Sequence, residues 1–291
     1  MRRKKNKPLF CLTLLLVLIL FSIALNGCQV AAKKKLKYRL GKQVSEQTLL
    51  DSYWRNARRE VDKSVLSLLV QDRAELRRGI RYHKFFRGSF LKKKIALTFD
   101  DGPHPYFTPF LLEILKKYDV KGTFFLVGEM AERYPALIRA EASAGHGIGN
   151  HTYDHVNLTK VSSEDAATEI EACGDVIESI TGKRPHLFRP PGGDYNTPVL
   201  MAAETLGYAV VLWTDNAGDW LSPGKGVIER KVLDRISNGG IILMHDGIQQ
   251  TIDILPQILT ILKREGYQFV TIDEMMPESY IPSLEVNPAD L

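Results

Sequence analysis

The chain has 291 residues, of which 44% are hydrophobic and 25% are charged, a composition typical of a folded globular protein and not of a disordered or fibrous one. Its net charge of +5 is uneven, because residues 1–94 carry 24 Lys and Arg against 6 Asp and Glu, whereas residues 95–291 carry 15 against 28. The acidic larger part argues against nucleic acid as a partner. Three scattered cysteines, Cys11, Cys28 and Cys173, are too few for a disulfide framework or a cysteine-rich zinc site.

Residues 1–28 have the pattern of an export leader. Five Lys and Arg residues within the first seven positions precede an almost uninterrupted apolar run from Leu9 to Leu25, as in a secretory signal. Leu25-Asn26-Gly27-Cys28 then resembles a bacterial lipobox, which predicts lipidation of Cys28 and a protein anchored on the extracytoplasmic face of a bacterial membrane. An uncleaved helical membrane anchor and a released protein are the two alternatives.

Residues 29–90 predict a basic helical stalk. Lys and Arg are in large excess there, and apolar residues recur at roughly helical spacing, which favours one or two amphipathic helices. The segment is interpreted as a spacer that lifts the following domain off the membrane. Its charge also suits contact with anionic lipid or an anionic wall polymer.

Residues 91–277 predict one α/β domain, followed by a tail at 278–291. The predicted strands are Ile95–Phe99, Gly122–Val127, Ile148–Asn150, Leu187–Arg189, Ala209–Trp213, Ile241–His245 and Phe269–Ile272. The predicted helices are Thr108–Lys117, Tyr134–Ala144, Ser163–Thr181, Pro198–Glu204, Gly226–Arg235 and Gln249–Glu265. Such alternation indicates parallel strands in a barrel or a doubly wound sheet. Polar residues at or just after the strand ends favour the barrel, which collects its active site at that rim.

Two adjacent carboxylates mark the end of the first of these strands. Thr98–Gly102 reads Thr-Phe-Asp-Asp-Gly and follows the apolar run Ile95–Leu97. Neighbouring side chains on an extended backbone point opposite ways, so Asp100 and Asp101 can take different tasks, one on a metal and the other on protons. The alternative for this pair alone is an ordinary turn.

A metal site is indicated by His151 and His155, whose spacing of four lets both imidazoles reach one ion. Two histidines and one carboxylate, with a fourth position open to water, form a common catalytic zinc site, and Asp101 supplies the carboxylate. One divalent metal is therefore predicted, Zn²⁺ first and Co²⁺, Ni²⁺ or Mn²⁺ as alternatives.

The segment Arg189–Gly193 reads Arg-Pro-Pro-Gly-Gly and follows an apolar strand. Its prolines fix the backbone, and Gly192 leaves room for a ligand to approach main-chain amides that could donate to an oxyanion. Arg189 can pair with Asp100 and hold it ionised. A rigid loop with a salt-bridged arginine is the alternative.

A second acid-base pair comes from two later strand ends. If Asp219 bonds His245, the imidazole becomes a tuned proton donor, although a histidine after an apolar strand is often a core residue. Trp220 and Leu243 can wall a small apolar pocket, or can simply belong to the core.

Five ordered motifs resemble those of the NodB-homology polysaccharide deacetylases, family four of the carbohydrate esterases. They are Thr98–Pro105 (TFDDGPHP), Gly122–Gly128 (GTFFLVG), Gly149–His155 (GNHTYDH), Arg189–Gly192 (RPPG) and Leu243–His245 (LMH). The resemblance covers about residues 91–277. It implies a distorted, TIM-like (β/α) barrel, here of about seven strands, and metal-dependent removal of acetyl groups from N-acetylhexosamine polymers.

The resemblance also implies roles for individual side chains. These are Asp100 as general base, His245 as general acid, Asp101, His151 and His155 as metal ligands, Arg189 as tether of Asp100, Asp219 as orienter of His245, and Trp220 with Leu243 as receptors of the acetyl methyl. The chain departs from the family at Gly192, where an aromatic residue is frequent, and at Asn216, where Asp is common. Both departures are interpreted as changes of substrate preference.

The predicted function is N-deacetylation of a surface glycan, with peptidoglycan first and exopolysaccharide or chitin fragments next, by a monomer. Three alternatives stay open: an O-acetyl ester hydrolase with the same site, a catalytically silent glycan-binding lipoprotein, and a metal phosphoesterase. The last usually needs a second metal cluster, and the sequence offers no second group of carboxylates and histidines for it.

Overall fold

The computed structural model describes residues 53–54 and 61–277. The chain divides into the units Met1–Tyr53 and Trp54–Leu291, and the barrel lies within the second. The predicted leader with Cys28, most of the first half of the predicted stalk, and the tail 278–291 lie outside the described residues. Within the part described, no helix has both the length and the apolar character needed to cross a membrane.

Within residues 61–277, nine strands form one sheet in which every pairing is parallel. They are β1 (Lys84–Phe85), β2 (Lys94–Asp100), β3 (Thr123–Leu126), β4 (Gly147–Asn150), β5 (Leu187–Phe188), β6 (Ala209–Val211), β7 (Asp215–Asn216), β8 (Gly240–His245) and β9 (Gln268–Phe269). The strand order is β1-β6-β5-β4-β3-β2-β8-β7, and β9 pairs with the start of β2. The predicted distorted (β/α) barrel is confirmed as a curled parallel half-barrel surrounded by helices.

The helices from α2 to α8 fall between strands, as the predicted alternation requires, whereas α1 precedes β1 and α9 follows β9. They are α1 (Val65–Arg77), α2 (Phe107–Lys117), α3 (Gly128–Arg133), α4 (Pro135–Ser143), α5 (Ser163–Thr181), α6 (Thr197–Thr205), α7 (Lys225–Leu233), α8 (Gln249–Arg264) and α9 (Ile272–Met275). Local chemistry sets their ends: α5 begins after the capping hydroxyl of Ser162 and ends at Gly182 in the left-handed region, φ 75°.

Alternate side chains of β2 point to opposite faces of the sheet and pack into two different apolar clusters. Ile95, Leu97 and Phe99 pack outward against the helices, whereas Ala96 packs inward with the core of the barrel. Asp100 shares the inward face by the same alternation. The sequence therefore delivers one carboxylate to the inside of the barrel at the carboxyl end of a buried strand.

The sheet begins before the boundary predicted at residue 91. Lys84 and Phe85 pair with Val210 and Val211 of β6, and α1 inserts the fully buried Leu68 into the inner core. Residues 61–90 are therefore part of the domain and not of a free spacer. A strand of two residues in a basic stretch carries too little periodic pattern to be seen in the sequence.

We expect Phe85→Ala to lower the free energy of unfolding by about 3–5 kcal/mol, because its ring is 2% exposed in the inner core. Urea unfolding of the full chain would measure it. Phe90→Ala is the matched control, since that ring is 64% exposed and should cost less than about 1 kcal/mol. Equal, small effects for both would contradict the assignment of β1 to the domain.

Candidate active site

The carboxyl ends of the central strands meet around one cavity. Asp100 of β2 pairs in register with His245 of β8, and Asn150 of β4 pairs with Phe188 of β5, so that His151 and Arg189 follow side by side. The cavity has a volume of about 20 Å³, roughly one water molecule. It is lined by Trp54, Asp62, Asp100, Asp101, His151, His155, Gly192, Trp220, His245, Asp246 and Ile248.

The three predicted metal ligands lie together. One donor atom from each of Asp101, His151 and His155 lies within 4.8 Å of the others, and Asp101 Oδ1 is 3.0 Å from His155 Nε2 and 3.5 Å from His151 Nε2. Burial alone would raise the pKa of Asp101, but the two imidazoles hold that pKa well below its usual range. The carboxylate is therefore kept ionised, as a ligand must be.

The local backbone is arranged for this cluster. Asp101 and His155 have positive φ values of 74° and 53°, a left-handed conformation that costs non-glycine residues free energy and collects at functional sites. His151 Nδ1 lies 2.7 Å from the carbonyl oxygen of Arg189, which places the proton on Nδ1 and leaves Nε2 for an ion. The donor set fits one divalent cation.

Arg189 and Asp100 form the expected pair. Arg189 Nη1 donates to Asp100 Oδ1 at 2.7 Å and to Thr98 Oγ1 at 2.8 Å, and its Nε donates to the carbonyl oxygen of Val211 at 3.2 Å. The guanidinium is fully buried above the Phe125 ring, 4.1 Å from its centroid. Burial lowers the pKa of Arg189 and the Asp100 carboxylate raises it, and burial prevails. One carboxylate is thus fixed beside the metal ligands.

Asp219 and His245 form the second expected pair. His245 Nδ1 is 2.9 Å from Asp219 Oδ1, and the backbone N–H of His245 donates to Asp219 Oδ2 at 2.8 Å. Burial would lower the pKa of His245, but Asp219 and, next, Asp62 hold it well above its usual value. The ring is therefore an imidazolium whose Nε2 faces the cavity, in the state that a proton donor requires.

Only two of the three predicted substrate-binding residues line the cavity. Gly192 and Trp220 line the cavity. Leu243 does not: it is fully buried in the inner core, two residues before His245 on the same face of β8 and so one layer below it. The functional roles of all these residues stay predictions, while their common location is observed.

Sequence reasoning missed several cavity residues. Asp62 reaches His245 from the predicted spacer, where an acid among many basic residues, with no motif around it, does not indicate a site. Asp246 directly follows His245 and could have been found; it accepts from the Thr108 hydroxyl and from the His104 backbone at 3.3 Å. Burial raises the pKa of Asp246 to about 7, although those hydrogen bonds oppose the shift.

These features define a parallel α/β half-barrel in which a candidate metal site of one carboxylate and two histidines lies beside the Arg189–Asp100 and Asp219–His245 pairs. Residues 87–211 match the family model described as polysaccharide deacetylase. The chain is 40% identical to a Bacillus cereus peptidoglycan-N-acetylglucosamine deacetylase over 64% of its own length and 89% of that protein. It therefore belongs to the polysaccharide deacetylase family.

Two further comparisons give the extent of the likeness. The chain is 40% identical to the Listeria monocytogenes peptidoglycan-N-acetylglucosamine deacetylase PgdA over 64% of its own length, but it spans only 39% of that relative. The crystal structure of the Bc1960 peptidoglycan N-acetylglucosamine deacetylase superposes with a TM-score of 0.65 at 37% identity, covering 67% of this chain and 93% of that one.

We expect His151→Ala and His155→Ala each to abolish stoichiometric metal binding, measured by equilibrium dialysis against Zn²⁺ and elemental analysis. Loss of a residue that merely supports a ligand lowers metal affinity about 10- to 100-fold, so loss of the ligand itself should cost at least as much. His83→Ala is the control, because that ring is 47% exposed and contacts Glu204 away from the cavity. Unchanged stoichiometry in both cavity variants would refute the site.

We expect Asp219→Asn to lower the pKa of His245, because the carboxylate is what favours the charged ring against burial. The imidazolium then persists only to a lower pH, and the alkaline limb of any activity moves down with it. Titration of the ring signals by NMR in the chelated protein measures the pKa directly. Asp253→Asn changes an exposed side chain on α8 and should leave the pKa of His245 unchanged. The same pKa in both variants would exclude the role of Asp219.

Proposed function

We propose that this protein is an exported, metal-dependent hydrolase that removes N-linked acetyl groups from an N-acetylhexosamine polymer of the bacterial surface, with peptidoglycan as its first substrate. The proposal is carried by one observation: at a single cavity Asp101 is grouped with two histidines, while Asp100 is bonded to Arg189 through Oδ1 and has its Oδ2 3.8 Å from His151 Nε2. One carboxylate is thus free of the ligand set and available for proton transfer. The relatives are named as peptidoglycan deacetylases, which supports the substrate class.

Asp101, His151 and His155 would hold the metal. When bound, a divalent ion polarises a carbonyl group and lowers the pKa of water toward ~7. Two imidazoles and one carboxylate suit Zn²⁺, and Co²⁺, Ni²⁺ or Mn²⁺ accept the same donors.

Two side chains then move protons. Asp100, oriented by Arg189, takes a proton from water as the water oxygen bonds to the acetyl carbon. His245 gives the proton on Nε2 to the leaving nitrogen as the carbon–nitrogen bond breaks, and Asp219 stabilises the imidazolium beforehand from Nδ1. The products are acetate and a free amine on the glycan. Gly192, at the cavity wall without a side chain, leaves room for a main-chain donor to the developing oxyanion.

The cellular setting follows from the leader. Residues 1–28 support export and attachment to the outer face of the membrane through Cys28 or an uncleaved helix. An enzyme placed there meets wall glycan, and a net negative catalytic domain would meet the cationic amines that it produces.

We expect the full chain to release acetate from peptidoglycan or N-acetylglucosamine oligomers after chelation and restoration of Zn²⁺ or Co²⁺. Asp100→Asn should lower the rate by about 10²–10⁴-fold with metal still bound, the usual loss for a positioned base. Asp175→Asn, 64% exposed on α5, is the matched control.

Acetate release from acetyl esters alone would instead identify the O-acetyl ester hydrolase. Metal binding with no release from any glycan or ester would identify the silent glycan-binding protein. Full turnover by Asp100→Asn would remove that residue from the role of general base.

A further inference from the structure

The strap, defined here as residues Val61–Lys63, crosses the cavity from one wall to the other. On one side the backbone N–H of Lys63 donates to the carbonyl oxygen of Gly192 at 2.9 Å, and Lys63 Nζ lies 3.1 Å from Asp194. On the other side the Asp62 carboxylate meets Asn216 and His245. The capping hydroxyl of Ser64 then starts α1, which fixes the strap at its carboxyl end.

Asp62 occupies the position in front of the proton donor. Its Oδ2 lies 3.7 Å from His245 Nε2, the ring nitrogen opposite the one held by Asp219. The Asp62 side chain is 9% exposed. An amine that leaves the substrate must approach that same Nε2 to receive its proton.

Asn216 is matched to this carboxylate. The Gly218 backbone N–H donates to Asn216 Oδ1 at 2.7 Å, which fixes the orientation of the amide, so Asn216 Nδ2 is the atom that donates to Asp62 Oδ2 at 2.9 Å. An aspartate at 216 would face Asp62 with a like charge. Asn216, where the family commonly has Asp, is thus the hydrogen-bond partner of Asp62, a residue that sequence reasoning missed.

The remaining space is too small for a sugar. With the strap in place the cavity holds about 20 Å³, whereas ligand pockets commonly measure roughly 300–1,000 Å³. We propose that the strap is an autoinhibitory segment, in which Asp62 occupies the place of the reacting acetamide and must withdraw before a glycan can bind. This proposal rests on the proposed function for the identity of the glycan.

The test compares the full-length wild type with Asp62→Ala and Asn216→Asp. The first variant removes the blocking carboxylate, and the second repels it while leaving it in the chain. Both should bind N-acetylglucosamine tetramer about tenfold or more tightly than wild type, because a strap held by charge-assisted hydrogen bonds lowers the fraction of protein competent to bind. Tryptophan fluorescence reports binding without any turnover, because Trp54 and Trp220 both line the cavity. The same samples are assayed for acetate with Zn²⁺ restored.

Asp175→Ala is the matched control and should bind as wild type does, since its carboxylate lies on α5 and not in the cavity. Hydrogen exchange at the Lys63 amide should rise in both strap variants, as its bond to Gly192 is released. Unchanged or weaker binding in both would overturn autoinhibition, and a fall in turnover with Asp62→Ala would make Asp62 part of the catalytic machinery instead. Tighter binding without acetate from any sample would sustain the strap and overturn the deacetylase. Unchanged binding together with equal acetate release by all samples would sustain the deacetylase and overturn the strap.

Discussion

The buried guanidinium of Arg189 is the constraint on which the site depends. A buried charge is costly unless it is paired and hydrogen-bonded. Arg189 meets that condition by bonding Asp100 and Thr98 on β2 and the carbonyl oxygens of Val211 and Leu212 at the end of β6. The Arg189–Asp100 pair therefore ties β2, which carries Asp100, to the RPPG loop that follows β5. Removing either partner would leave an uncompensated charge in the core, a loss of about 3–5 kcal/mol, so the position of Asp100 is as fixed as the core itself.

The same rim separates two carboxylates that are neighbours in the chain. Asp100 ends β2 in extended conformation and points inward, while Asp101 turns to φ 74° and joins the histidines. His155 shares that left-handed conformation. Such backbone strain persists only where the surroundings determine it strongly, and here the parallel pairings on both sides of β2 do so. The strand pairings that stabilise the fold thus also fix the positions of the candidate metal ligands.

The sequence predicted the parts of this arrangement that repeat or cluster locally. Buried strands of four or more residues have a period and a length, so β2, β3 and β8 were located within one or two residues. Strands of two residues have no period, so β5 and β9 could be predicted only from the apolar runs around them, whereas β1 in a basic stretch and the polar β7 (Asp215–Asn216) were missed. The grouping of Asp101 with His151 and His155, and the Arg189–Asp100 and Asp219–His245 pairs, could be predicted because all of these residues but Asp219 lie in the quoted motifs. Asp62 could not, because only the path of the chain around the barrel brings it to His245.

His245 lies between two carboxylates, Asp219 and Asp62, which have opposite effects on its ability to donate a proton. Asp219 on Nδ1 orients the ring and keeps it charged, whereas Asp62 faces Nε2, the atom from which a proton must leave. Both raise the pKa of the imidazolium after the cost of burial, yet only Asp219 is compatible with donation to a substrate. On the proposed withdrawal of Asp62, the ring would lose one of its two counter-charges and become a stronger acid as the cavity opened. Departure of the strap would then both admit the glycan and make the proton easier to transfer.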